Sequence, residues 1–127
     1  MNDKPKTGAI VWTDLTVPDA DAIRDFYSSV VGWRPEAVDM GGYSDYNMAG
    51  ANGEPAAGVC WARGSNADLP AQWLVYVTVA DLDASLAECS KRGGDLVAGP
   101  KSMGTHRYAV IRDPAGAVCA LIEPAGE

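Results

Sequence analysis

Thr16-Val17-Pro18-Asp19-Ala20-Asp21-Ala22 returns 62 residues later as Thr78-Val79-Ala80-Asp81-Leu82-Asp83-Ala84. A second echo pairs Glu54-Pro55-Ala56-Ala57-Gly58-Val59-Cys60-Trp61 with Asp113-Pro114-Ala115-Gly116-Ala117-Val118-Cys119-Ala120 at a spacing of 59. Self-similarity at both ends implies two copies of one supersecondary unit. In a chain of 127 residues neither copy is large enough to bury a sizeable core alone. The expectation is one domain over 1–127, with module one at about 8–63 and module two at about 72–124.

Local patterns give each copy the order strand, helix, three strands. Ile10 to Val17 is β-branched and alternating, as a strand requires, and Pro18-Asp19 stops it. Asp19 suits a helix N-cap, and Ala22, Ile23, Phe26, Tyr27, Val30 and Val31 form an apolar face that runs out at Gly32. Strands are predicted at Trp33 to Met40, Tyr43 to Met48 and Ala56 to Ala62, separated by glycine-rich turns. The second copy predicts a strand at Trp73 to Val79 and a helix capped by Asp81 and ended by Gly93-Gly94. Strands at Asp95 to Ala98, Arg107 to Arg112 and Ala117 to Glu123 complete it. The class is α+β: paired βαβββ modules forming a cupped mixed sheet with helices outside. Such a cup is a natural small-molecule site.

Several function classes drop out. Acidic residues outnumber basic ones 17 to 10, giving a formal charge of -7 that repels phosphate backbones, so no nucleic-acid partner is expected. No stretch approaches the roughly 18 apolar residues that cross a bilayer, and the start lacks an apolar signal core, so neither a membrane partner nor export is expected. The expected location is the cytoplasm. Cys60, Cys89 and Cys119 are odd in number, lack a CxxC spacing and sit in apolar runs, so they read as buried small side chains. There is no GxSxG nucleophile elbow, and Gly41-Gly42 and Gly93-Gly94 are turns rather than a phosphate loop.

Three phrases, DLTVPDADAIRDFYSSVVGW, VYVTVADLDASLAECSKRGG and RYAVIRDPAGAVCALIEP, together resemble the vicinal oxygen chelate superfamily of glyoxalases, bleomycin-resistance proteins and extradiol dioxygenases. The resemblance runs from about Gly8 to Pro124. It implies a cupped sheet around an open cavity, often completed by a second copy, and a homodimer is expected. Metal-dependent members place a His, Glu or Gln in the first and last strand of each module. The resemblance puts those positions at Trp12, Trp61, Leu74 and Ala120. An open catalytic metal site needs about three nitrogen, oxygen or thiolate ligands, and an indole nitrogen only donates. No metal and no cofactor are therefore expected.

The expected ligand-binding residues are Trp12, Asp14, Tyr46, Trp61, Leu74, Tyr76, His106, Tyr108 and Ala120. Trp12 and Trp61 are expected to face each other across the cavity floor, as a wall for an apolar ligand or as core filling it. Asp14 shares a strand face with Trp12 and sits at the rim. Tyr46, Tyr76 and Tyr108 add hydroxyls or serve as structure, and His106, the sole histidine, is either an acid-base group or a surface residue. No catalytic set is assigned. The leading reading is metal-independent binding of a hydrophobic or aromatic small molecule, as in the bleomycin-resistance branch. The alternatives are a metal-free isomerase, epimerase or lyase, and a structural or regulatory module.

Overall fold

Both helices begin where an aspartate interrupts a strand. Asp19 accepts the Ala22 N–H and Asp81 the Ala84 N–H, each at 3.1 Å, so each helix has one of its orphan donors satisfied. The computed structural model describes residues 6–125. In order it contains β1 (Ile10–Val17), α1 (Ala20–Val31), β2 (Arg34–Asp39), β3 (Ser44–Ala49) and β4 (Pro55–Trp61). A short 3-10 turn at Gly64–Asn66 leads to β5 (Trp73–Thr78), α2 (Leu82–Lys91), β6 (Asp95–Met103), β7 (His106–Arg112) and β8 (Val118–Glu123). The fold is α+β with βαβββ twice over, as the repeat requires. Gly32 closes α1 at φ +86°, a left-handed conformation that favours glycine, and its N–H reaches the Ser28 carbonyl at 3.1 Å. No helix among the described residues is long and apolar enough to cross a membrane.

Two compact units emerge, residues 12–73 and residues 74–125 with 6–11. In the first the strand order is β2-β3-β4-β1, with β1 and β4 parallel and the other pairs antiparallel. Its core joins Leu15, Val17, Ala20, Met48 and Val59, against which Ile23, Tyr27, Trp33 and Trp73 pack. In the second the order is β5-β8-β7-β6, again with only the first pair parallel. Leu82, Ala109 and Leu121 form its helix-side core with Val77, Val79, Leu86 and Ile111.

Strand register corrects the second spacing. Asp14 lies opposite Gly58 and Tyr76 opposite Ala120, and each member of the second pair stands 62 residues after its counterpart in the first. One spacing therefore serves both ends of the repeat, and 59 misaligns the last strands by three residues. The cause is a look-alike: Pro55 opens β4 itself, whereas Pro114 lies in the turn before β8. Another difference is β6, expected to stop at Ala98 but continuing to Met103. Pro100 does not end it because β6 is an outer strand, where a missing N–H breaks no ladder on its free side. The three cysteines are free and half-buried rather than fully buried.

Candidate functional site

Side chains alternate along a strand, so the core residues reveal which residues point the other way. In the first unit Leu15, Val17 and Val59 meet α1. Trp12, Asp14 and Thr16 therefore project from the helix-free face, beside Gly58 and Cys60, which are level with Asp14 and Thr16. The Trp12 indole N–H donates to Asp14 Oδ1 at 2.5 Å. On β3, Asn47 is level with Gly58, which puts Asn47 and Asp45 on the same face. Asp45 Oδ1 accepts the Trp61 backbone N–H at 3.0 Å. Burial first, then the Asp14 and Asp45 carboxylates, push the Cys60 thiol far up, so it stays protonated at neutral pH and is no nucleophile.

Trp61 and Tyr46 lie on the other side, which overturns the expected facing tryptophans. Trp61 is level with Val17 and Tyr46 with Val59, so both share the α1 face. The Trp61 indole N–H donates to the Ser44 carbonyl at 2.9 Å. Tyr46 donates its hydroxyl to Asp21 Oδ1 at 2.6 Å, and the Arg24 guanidinium stands 4.7 Å from its ring centre. That hydrogen bond to Asp21, more than burial, raises the Tyr46 pKa. Trp12 and Trp61 occupy opposite faces and are five register positions apart, about 16 Å of strand. The three-residue misalignment, an odd number, is what flipped Trp61 to the wrong face.

In the second unit Val77, Ala109, Ile111 and Leu121 face α2. Leu74, Tyr76, His106, Tyr108 and Ala120 consequently share the helix-free face. Tyr76 and Tyr108 have ring centroids 6.1 Å apart at 44°. The Lys101 ammonium, level with Tyr108, lies 5.4 Å from that ring centre, and burial lowers its pKa. His106 opens β7 opposite Met103, half-buried. Leu74 and Ala120 are fully buried, at 1% and 0% exposure.

Seven of the nine expected residues thus lie on helix-free faces, Trp12 and Asp14 in one unit and Leu74, Tyr76, His106, Tyr108 and Ala120 in the other. Asp45, Asn47, Cys60 and Lys101 were not foreseen. For the first two a signal existed, since polar Asp45 and Asn47 alternate with Tyr46 and Met48, which pack toward the core.

Two βαβββ modules, each with its helix on one sheet face and its polar and aromatic groups on the other, define a paired-module α+β protein. The profile of the Glyoxalase/Bleomycin resistance protein/Dioxygenase superfamily matches residues 9–121, and the chain belongs to that superfamily. It is 31% identical over 121 residues to CFP32 of Mycobacterium tuberculosis, whose naming as a glyoxylase is provisional, covering 94% of this chain and 46% of that protein. It is 32% identical over 127 residues to the anthracycline biosynthesis protein DauV of Streptomyces sp. strain C5, covering 90% of this chain and 46% of that one. The chain therefore spans about half the length of these relatives. Among solved structures, the Streptomyces coelicolor methylmalonyl-CoA epimerase superposes with a TM-score of 0.54 at 18% identity, covering 95% of this chain and 100% of that one. The hypothetical protein BH1468 of Bacillus halodurans gives 0.60 at 11%, covering 96% and 98%. Both likenesses concern the fold alone.

The divalent ion used by metal-dependent members does not fit these residues. With the register corrected, the four positions hold Trp12, Gly58, Leu74 and Ala120, none with a ligating atom. Among the described residues no group of three His, Cys, Asp or Glu side chains is placed to hold an ion.

Proposed function

We propose that this protein holds a small, largely aromatic molecule on the helix-free side of its sheets without using a metal ion. The observation that carries this reading is the Tyr76–Tyr108 pair at 6.1 Å on the helix-free face of the second unit, where Leu74 and Ala120 stand at the ligand positions; those of the first unit hold Trp12 and Gly58. The two phenol rings offer flat apolar contact with a few polar edges, which suits a planar ligand. Lys101 and His106 border the tyrosines in the second unit; in the first, Asp14 accepts from Trp12 and Asp45 lies farther along the same face, level with Cys60. DauV, named for anthracycline biosynthesis, makes a fused-ring polyketide the sensible first probe. The protein acts as a homodimer, and its three free cysteines fit a reducing compartment, the cytoplasm.

The test is a titration with an anthracycline aglycone, followed by tryptophan fluorescence and thermal unfolding. Binding to the folded state raises the unfolding temperature as ligand passes its dissociation constant. Tyr76→Ala and Tyr108→Ala should weaken that response while elemental analysis finds no stoichiometric metal. One tightly held ion per chain, or a response indifferent to both substitutions, would overturn the reading.

A further inference from the structure

On the opposite side of the second unit, between α2 and the β7–β8 part of its sheet, lies an open cleft of about 450 Å³. Val79, Ile111 and Leu121 form its floor, Pro114 one wall, and Ser85 and Cys89 of α2 its roof. The volume falls within the range of ordinary ligand pockets.

The repeat shows what such a space holds. At the 62-residue spacing, Ser85 corresponds to Ile23 and Cys89 to Tyr27. In the first unit those larger side chains fill the gap between helix and sheet. Tyr27 packs its ring against Trp33 and Trp73 at centroid distances of 6.0 and 5.2 Å, and Trp73 donates its indole N–H to the Tyr27 hydroxyl at 3.1 Å. The pocket beside α1, about 290 Å³, opens instead toward Ala71, Gln72 and Trp73. In the second unit the position after α2 that matches Trp33 is Asp95, and a serine and a thiol replace the isoleucine and the tyrosine.

We propose that the cleft beside α2 binds a neutral one- or two-ring aromatic compound, which takes the place that Ile23 and Tyr27 fill in the other module. Neutrality follows from the rim. Glu88 is bonded to both Lys91 and Arg92 at 3.2 Å, and Asp113 accepts the Ala115 and Ala117 N–H groups at 2.8 and 3.0 Å. These charges are already matched within the protein, and the floor is hydrocarbon. The Cys89 sulfur gives an aromatic ring edge a polarizable contact. This site is separate from the helix-free faces of the proposed function and does not depend on them.

Indole, tested on the full chain, is the probe. It should raise the unfolding temperature saturably and shift amide resonances of α2, Asp113 and Leu121. Cys89→Tyr, which rebuilds the plug of the first module, should weaken indole binding by about tenfold or more, equivalent to about 1.4 kcal/mol. Should that variant fail to fold, Ser85→Ile makes the same test with a smaller side chain. Tyr108→Ala, on the opposite face, should leave the indole response in place. No saturable response at millimolar indole overturns the proposal. So does a response that survives both filling substitutions, or one that Tyr108→Ala removes.

Discussion

Gly58 and Asp14 lie side by side on the helix-free face of the first unit. A Cβ built on Gly58 would collide with the Asp14 carboxylate and come within 3.5 Å of the Trp12 indole nitrogen. Gly58→Ala should therefore cost about 1–3 kcal/mol, as overpacking does. In an Asp14→Ala background the cost should largely vanish, because the colliding group is gone, and a denaturant-melt cycle of the four proteins measures that coupling. Additive costs would mean the two residues do not meet. Cys60 makes a second case. Its thiol is raised by burial and by two carboxylates, so iodoacetamide should label it more slowly at pH 8 than an unfolded thiol, with rate climbing at higher pH. Folding favours the protonated thiol, so this contribution is complete below the unfolded pKa of about 8.5 and is lost as pH rises through the folded value. Peptide mapping after timed alkylation gives the rate directly. The residue types of this face were legible in part: Trp12 and Asp14 follow from alternation along one strand. Trp61 was not, because its face depends on pairing with a strand 44 residues away, level with Val17. A misalignment by an odd number of residues turns every side chain over.

Caps and periodicity placed both helices correctly, since the Asp19 and Asp81 side chains act locally and leave a local trace. Their surroundings differ in a way that one residue at a time does not reveal. Leu82, the first residue of α2, also donates its N–H to Glu123 Oε1 at 2.8 Å, so the start of α2 is served by carboxylates from two elements. The residue that matches Glu123 in the first module is Trp61, which supplies no such acceptor. Asp19→Ala should cost about 1 kcal/mol, the usual price of a lost cap, and Asp81→Ala less, because Glu123 still holds the neighbouring N–H. Paired thermal melts decide the order, and an Asp81→Ala protein that melts lower than Asp19→Ala would contradict it. The strands were legible wherever a turn residue bounded them, and β6 was not. Gly99-Pro100 looks like punctuation in sequence, yet only the sheet order shows that β6 is an outer strand able to carry a proline. The DPAG turn failed for a related reason: the same Pro-Ala pair starts a strand in one copy and bends a turn in the other.

At the scale of the molecule, the class of fold was readable because a repeat is a global property written into local words, and the superfamily match over 9–121 agrees with it. The ligand was not readable, because shape and aromatic surface leave no fixed spacing as metal ligands do. Association is the remaining question that physical chemistry can address from this chain. All six residues of the outer strand β2 are exposed, and α1 shows solvent Phe26, Val30 and Val31 at 53%, 64% and 51% exposure. An unpaired edge beside apolar helix residues favours contact with another surface. The relatives are about twice as long as the part this chain matches, and two copies of the chain would reach a similar total. Sedimentation velocity at micromolar concentration should therefore give about twice the 13.3 kDa of one chain. In the proposed dimer the charge of -7 per chain would make the two copies repel, and apolar contact would have to hold them together. Added salt screens the repulsion, so the dimer should tighten as ionic strength rises. A dimer that loosens in salt would show that ion pairs hold it, and a monomer throughout would remove the homodimer from the proposed function.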